Sequence, residues 1–261
     1  MFRVATFLIN LDRSRERLAA MASQLEALQM PFTRVAAVDG QTIAADDRVD
    51  TQRYRRRHGR EVRPAEVGCY LSHLAAMQAF LATDASHALI LEDDATLLPA
   101  LPDVLARATS REAVSTWDVL KLESRRRGFK LALLQLTVDH ALCVNLYRST
   151  GAAAYVVSRR AAQVYLNKLL PMAQPFDHAF DRGWFLGLRM REVTPLVVSA
   201  QTCEHSNMST ITPTGAPVVK LTGLAKLPSL AFRTMTETMR VVSGLAAWTA
   251  WRVLGATRTA A

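Results

Sequence analysis

Short, almost wholly apolar runs set between helical stripes constrain this chain more than any other feature. Val4 to Ile9 and Ala88 to Leu91 leave little polar surface for solvent, the mark of strands buried on both faces. After the first, Leu18, Met21, Leu25 and Leu28 recur at helical spacing from about Arg13, and Pro31 stops that helix. Phe32 to Val38 then reads as a second strand closed by the turn pair Asp39 and Gly40, so the opening is a βαβ unit. Pro64 to Ala82 is predicted as a helix, with Val67, Leu71, Leu74, Met77 and Leu81 inward and Pro64 and Glu66 favouring its first turn. Trp117 to Leu122, Ala152 to Val157 and Glu192 to Ser199 read as further strands, and Arg159 to Leu170 as a helix ended by Pro171. Strands alternating with helices predict an α/β fold with a mostly parallel sheet flanked by helices. Gln201 to Pro217 reads as a polar loop.

Charge divides the chain. The formal net charge is +9; residues 48–63 contribute seven Arg against Asp50 and Glu61, and residues 218–261 six Lys or Arg against Glu237. Each stretch carries +5, so the rest sums to about −1. The first is expected to be a mobile Arg-rich loop. The second is expected to be an amphipathic helical tail, with Phe232, Met235, Met239, Val242, Leu245, Trp248 and Trp251 on one face and Arg233, Glu237 and Arg240 on another. Packing on its own domain, docking on an anionic membrane surface and pairing with a partner helix are the three readings of that tail. The expected division is a core of residues 1–217 and a basic tail of 218–261.

Cys69, Cys143 and Cys203 have no paired spacing and read as reduced thiols of a cytoplasmic protein. Polar residues from Asn10 onward break the first apolar run, which suits a strand and not a signal peptide. No segment reaches the ~18 to 20 apolar residues needed to span a bilayer.

Chemistry concentrates where Ile90 and Leu91 run into Glu92, Asp93 and Asp94. Ligands of open α/β sheets bind beyond the carboxyl ends of strands. Alternation sends Glu92 and Asp94 to one side and Asp93 to the other. Adjacent carboxylates call for a cation, and oxygen-only ligands suit Mg²⁺ or Mn²⁺; a solvated acidic turn is the plainer alternative. At the end of the first strand, Asp12 or Ser14 is placed to cap the helix, and its N–H groups with Arg13 and Arg17 favour an anion such as a diphosphate. There is no glycine-rich fingerprint. Ser72 and His73 lack the setting of a serine hydrolase. Asp177 and Asp181, four apart, share one face of a helical turn and suit a general base or a grip on sugar hydroxyls; His205 is a candidate third metal ligand.

Several spaced segments together resemble the glycosyltransferase family 25 proteins, the bacterial lipooligosaccharide and procollagen galactosyltransferase relatives. They are Phe7 to Arg13, Ala37 to Gly40, Glu66 to His73, Ile90 to Asp94, Ala154 to Ser158 and Pro175 to Asp177, in the family's order over about residues 2 to 210. The resemblance implies a GT-A-like fold, a UDP-sugar donor, usually UDP-galactose, and Mn²⁺ or Mg²⁺ as cofactor. It makes Asp94 the main metal ligand, with Glu92 on ribose or metal-bound water. It also implies that Asn10, Asp12 and Arg13 line the donor pocket, and that Glu66, Ser72 and His73 brace or line it; Arg17 joins the expected donor site through the helix-terminus reading above. The family's Gly-Thr-x-Gly-Tyr appears as Gly151, Ala152, Ala153, Ala154, Tyr155, a departure, and the tail lies outside the matched region.

The expected function is a metal-dependent, inverting hexosyltransferase that moves galactose from a UDP-sugar to a lipooligosaccharide or other surface glycan, cytoplasmic and peripheral on the inner face of the membrane. Asp177 before Asp181 is the expected base. The competing readings are a basic nucleic-acid-binding protein using the Arg48 to Arg63 stretch and Arg125 to Arg127, and a non-catalytic membrane scaffold. The first is disfavoured because neither run is interleaved with aromatic residues and the core is not basic.

Overall fold

The computed structural model describes residues 3–43, 47–125, 128–200 and 220–259, with side chains in the last stretch as far as Val253. The chain runs β1 (Val4–Asn10), α1 (Arg15–Ala27), β2 (Phe32–Ala36), α2 (Thr51–His58), α3 (Pro64–Leu81), β3 (His87–Glu92), β4 (Ala95–Leu97) and α4 (Leu101–Ala108). It continues with β5 (Val119–Lys121), β6 (Lys130–Gln135), β7 (Ala141–Asn145), β8 (Ala154–Ser158), α5 (Arg159–Lys168), α6 (Phe176–Phe180) and α7 (Gly183–Leu186). It closes with β9 (Met190–Thr194), β10 (Val198–Ala200) and α8 (Leu227–Thr259).

Eight strands form one sheet in the order β2-β1-β3-β8-β5-β9-β7-β6. The α/β class is as expected, but the sheet is mixed. β2, β1, β3, β5, β9 and β6 run one way and β8 and β7 run against them, so the central β3–β8–β5 pairs are antiparallel. Residue alternation along each strand divides the core in two. Phe7, Ile9, Ile90, Tyr155 and Val157 pack beneath α3 and α5, while Leu8, Leu89, Leu91, Leu120 and Val156 pack with α1 and α4 on the other face. The predicted strand over Glu192 to Ser199 is two strands: β9 stays in the main sheet and β10 pairs with β4.

Residues 48–63 are not a loop. Asp50 caps α2 by accepting the Arg53 N–H, Tyr54 is its single fully buried side chain, and Gly59 ends it at φ +80°. The tail is also assigned differently. Phe232, Trp248 and Trp251 face the domain, but Met235, Met239, Val242 and Leu245, expected on the same face, are exposed. The buried stripe is instead polar in part, with Ser229, Thr236, Arg240 and the close-packed Gly244. The indole N–H groups of Trp248 and Trp251 donate to the carbonyls of Ala132 (3.1 Å) and Leu133 (2.7 Å), covering the β6 edge of the sheet. Gln201 to Pro217, Cys203, His205, Arg126 and Arg127 lie outside the described residues.

Candidate active site

The carboxyl ends of β1 and β3 lie side by side because the two strands pair in parallel, Ile9 opposite Glu92. A solvent-open cleft with about 770 Å³ of atom-free space begins there. Asn10, Arg13, Arg17, Asp39, Ser72, His73 and the acidic triplet line it. The triplet differs from expectation in one respect. β3 ends at Glu92, so Asp93 and Asp94 sit in a turn where strand alternation no longer holds, and all three carboxylates line the cleft.

Asp93 is tied down by Asn10 Nδ2 at 2.7 Å and Arg17 at 3.2 Å. Asn10 also donates to the Ser14 carbonyl and accepts from Arg34 Nε at 3.0 Å; it is buried and acts as a hub between β1, α1 and the triplet. Arg13 pairs with Asp39. Asp12 is mostly exposed, pairs with Arg34 and does not line the cleft. Ser14 occupies the cap position of α1 without a side-chain cap bond.

Glu92 Oε1 lies 3.1 Å from His73 Nε2, and His73 Nδ1 lies 3.0 Å from the Tyr155 hydroxyl. The imidazole stacks on Phe176, centroids 4.0 Å apart and planes within 6°. His73 is therefore held at both nitrogens and on one face. Burial alone would raise Glu92, but the His73 bond and the nearby Arg125 hold it below the usual range. Asp94 is pushed the other way, to about 6, by burial and by the charges of Glu92 and Asp93. Its Oδ1 is buried with no hydrogen-bond partner. An orphaned carboxylate oxygen beside two further carboxylates fits a hard divalent cation such as Mg²⁺ or Mn²⁺. Cys69, His73 and Glu92 also place ligand atoms within 4.8 Å of one another. Burial keeps that thiol protonated and His73 is already engaged, so the Asp94 side is the better fit.

The glycines and Ser72 between Ala37 and His73 have direct packing roles. Gly40 lies against the Pro64 carbonyl and Gly68 against Val38 and Gly40, so closely that a Cβ at Gly68 would sit 2.5 Å from the Val38 oxygen. Ser72 accepts the Val38 N–H at 2.8 Å and donates to the Gly68 carbonyl at 2.7 Å. The Asp39–Gly40 turn is thus moored to α3, and Ser72 braces it. Glu66 is buried and does not line this cleft, but it does line the adjoining compartment with Glu92 and Asp177. It accepts from the Tyr54 hydroxyl (2.9 Å), the Arg63 N–H (3.1 Å) and the guanidinium groups of Arg60 and Arg63. Burial opposes its charge, but the two arginines hold it at about 2.

A second compartment adjoins the first across Cys69 and Glu92, with Arg60, Arg125, Gly151, Phe176, Asp177 and His178 on its walls. Asp177 accepts the Gly151 N–H at 3.1 Å; burial disfavours its charge, but His178, that N–H, Lys121 and Arg125 keep it below the usual carboxylate range. Asp181 does not line the cleft. It is buried against Arg240 of α8 at 2.9 Å and accepts the Ser149 N–H at 3.2 Å.

Four participants escaped the sequence reading. Asp39 was expected only as a turn residue and Cys69 only as a reduced thiol, yet Asp39 lines the first compartment and Cys69 joins the two. Lys121, fully buried, donates to the carbonyls of Ser149 (2.5 Å) and Gly151 (2.8 Å), holding the loop whose N–H reaches Asp177. Glu123 lies beneath Gly151, pushed up to about 7 chiefly by burial. Two charged residues alternating with apolar ones in Val119 to Glu123 were the available signal.

Residues 4–180 match the family model described as Glycosyltransferase family 25 (LPS biosynthesis protein). A "Glycosyltransferase 25 family member" of Drosophila pseudoobscura pseudoobscura is 27% identical over 207 residues, 73% of this chain and 33% of that one. One of Aedes aegypti is 26% identical over 130 residues, 46% of this chain and 21% of that one. The chain therefore spans about one third or less of these relatives' length. Among solved structures, S. aureus TarS 1-349 gives a TM-score of 0.45 at 14% identity, covering 76% of this chain and 60% of that one. The inositol-1-phosphate CTP transferase from T. maritima gives 0.41 at 11% identity, covering 90% and 96%.

Proposed function

The chain belongs to glycosyltransferase family 25, and from that premise we propose that it transfers a hexose, galactose in the simplest case, from a UDP-sugar to a surface glycan acceptor of the lipooligosaccharide kind. The observation that carries this reading is the pair of compartments meeting at Cys69 and Glu92, one walled by the acidic triplet, the other by Asp177. The donor diphosphate belongs in the first, where Arg13 and Arg17 face the cleft near the N-terminus of α1. Asp94 and Glu92 are the residues that would hold Mn²⁺ or Mg²⁺, which supplies positive charge against the leaving diphosphate. The acceptor sugar lies in the second compartment. Asp177, ionised at neutral pH, takes the proton of the attacking hydroxyl as the new bond to the anomeric carbon forms and the bond to the diphosphate breaks, with inversion. His73 and Tyr155 position Glu92, and Lys121 positions Asp177 through the Gly151 loop. Asp181 is read as a structural residue, not the base.

The test is UDP release from a panel of UDP-sugars with and without Mn²⁺. Asp94→Asn should lose the metal-dependent part of donor binding. Asp177→Asn should keep donor binding and lose transfer by about 10²- to 10⁴-fold. Absence of both turnover and binding for every UDP-sugar, from folded protein, would sink the reading.

A membrane-held acceptor is favoured by α8. Leu227, Leu230, Met235, Met239, Val242 and Leu245 are exposed on a helix that turns Ser229, Thr236 and Arg240 inward, and Lys226, Arg233 and Arg252 border them. Among the described residues no helix is long and apolar enough to cross a membrane, so the proposed contact is interfacial, on the cytoplasmic leaflet. The nucleic-acid reading gains no support, because Arg53, Arg60 and Arg63 are paired with Asp50 and Glu66.

A further inference from the structure

Between α2 and α8 lies a third cavity, larger than the cleft, with about 1370 Å³ of atom-free space. Its walls carry seven Lys or Arg side chains and one carboxylate, Glu237. Some of that charge is already matched. Arg60 is held by Glu66, Arg240 by Asp181 and Glu237, and Arg148 lies 3.7 Å from Glu237. Arg57, Lys220, Lys226 and Arg233 have no carboxylate within ion-pairing distance among the described residues. Arg57 is half-buried, its guanidinium 5.0 Å from the Phe232 ring centroid, and burial and Arg53 lower its pKa. Concentrating like charge in a partly enclosed site is unfavourable unless an anion answers it.

The cavity is joined to the chemistry. His58, Arg60 and His178 wall both it and the compartment of Asp177, and His178 follows Asp177 directly. The two imidazoles pack edge to face, centroids 5.0 Å apart. Burial holds both below their ordinary value, His58 at about 3, so the two imidazoles are uncharged at neutral pH, and Arg60 on the same wall is answered by Glu66. The basic cavity therefore lies directly next to the compartment of Asp177, across the histidines.

Resting on the transferase reading above, we propose that this cavity is the subsite for an anionic group, phosphate or carboxylate, borne by the acceptor next to the sugar that is glycosylated. The subsite selects charged acceptors over neutral ones, with Arg57 and Arg233 on opposite walls, α2 and α8, as its principal contacts.

The experiment is calorimetric titration of the full chain with glucose 6-phosphate and with glucose, repeated on Arg57→Ser and Arg233→Ser. Arg233 is exposed, so its variant folds whatever its role. Glucose 6-phosphate should bind at least tenfold more tightly than glucose, and each substitution should weaken it about tenfold. Equal affinity for the two sugars, or phosphate-dependent binding unchanged by both substitutions, overturns the subsite. Vesicles of phosphatidylglycerol form a separate arm: if the substitutions weaken vesicle binding alone, the cations serve a lipid headgroup and the proposal fails. UDP-galactose and UDP-glucose are titrated into wild-type protein in parallel. Their failure to bind counts against the transferase reading, whereas their binding without a phosphate effect counts only against this subsite.

Discussion

Gly68→Ala sets two effects of opposite sign against each other. Gly68 lies inside α3, where alanine is favoured over glycine by about 0.8 to 1 kcal/mol from helix propensity alone. The added methyl, however, would lie 2.5 Å from the Val38 oxygen, 2.6 Å from the Gly40 nitrogen and 3.0 Å from the Gly40 Cα. All three are backbone atoms, and the turn that carries them is itself moored by the Ser72 hydroxyl. Overpacking a tight site costs about 1 to 3 kcal/mol, and the absence of a side chain able to swing aside puts this site at the upper end. The net expectation is a loss of about 1 to 2 kcal/mol, or a fall of roughly 3 to 6 °C in Tm for a chain of this size. Urea unfolding and thermal melts measure it, with Gln78→Ala on the exposed face of the same helix expected within about 0.5 kcal/mol of wild type. Because Asp39 follows Val38 and lines the cleft, UDP-sugar affinity should fall as well. A Gly68→Ala protein as stable as wild type, or more so, would refute the argument. Propensity would then have won, and the turn would not be pinned to α3.

Glu66→Gln should destabilise the protein at pH 7 by about 3 kcal/mol. The carboxyl sits at about 2 against an ordinary 4.5, so its contribution is fully present above 4.5 and is lost as pH falls towards 2; the variant's unfolding curves should converge on wild type over that window. Arg240→Met leaves Asp181 buried without its cation and should cost about 3 to 5 kcal/mol at pH 8. Asp181 already sits near 6 through burial, so the folded protein holds its proton more tightly than the unfolded chain does. The deficit should therefore shrink as pH falls below 6, read from urea midpoints at pH 5 and pH 8. Met239→Glu, on the exposed face of α8, should leave Tm within about 1 °C and reduce flotation with phosphatidylglycerol vesicles several-fold; unchanged flotation would remove that face as the membrane contact.

The first half of the fold was legible because its signals are local. Apolar runs, helical stripes and the prolines at 31 and 64 set β1, α1, β2, α3 and β3 close to their observed limits. Residues 48–63 were not legible, since α2 is anchored by one buried Tyr54 and no stripe exists to reveal it. The mixed sheet was hidden because β7 and β8 are apolar enough to suit either direction, and direction is a property of connections. In the site, residue types were readable and side-chain directions were not: Asp93 depends on β3 ending at Glu92 and giving way to a turn, and Asp181 on an arginine 59 positions away. The tail failed in an instructive way. Its helical period was evident, but period alone does not say which stripe meets the protein. Two indole donors seeking strand carbonyls and one buried ion pair decided the rotation.

That rotation has a practical consequence for anyone reshaping the chain. A fragment cut at residue 217 would appear to shed only a detachable anchor. It would in fact remove Arg240 from Asp181, just beyond the five-residue α6 that begins beside Asp177, and uncap the β6 edge at the same stroke. Rates measured on such a fragment would describe a rebuilt catalytic corner, and a foreign lipid anchor grafted in its place would restore address without restoring architecture.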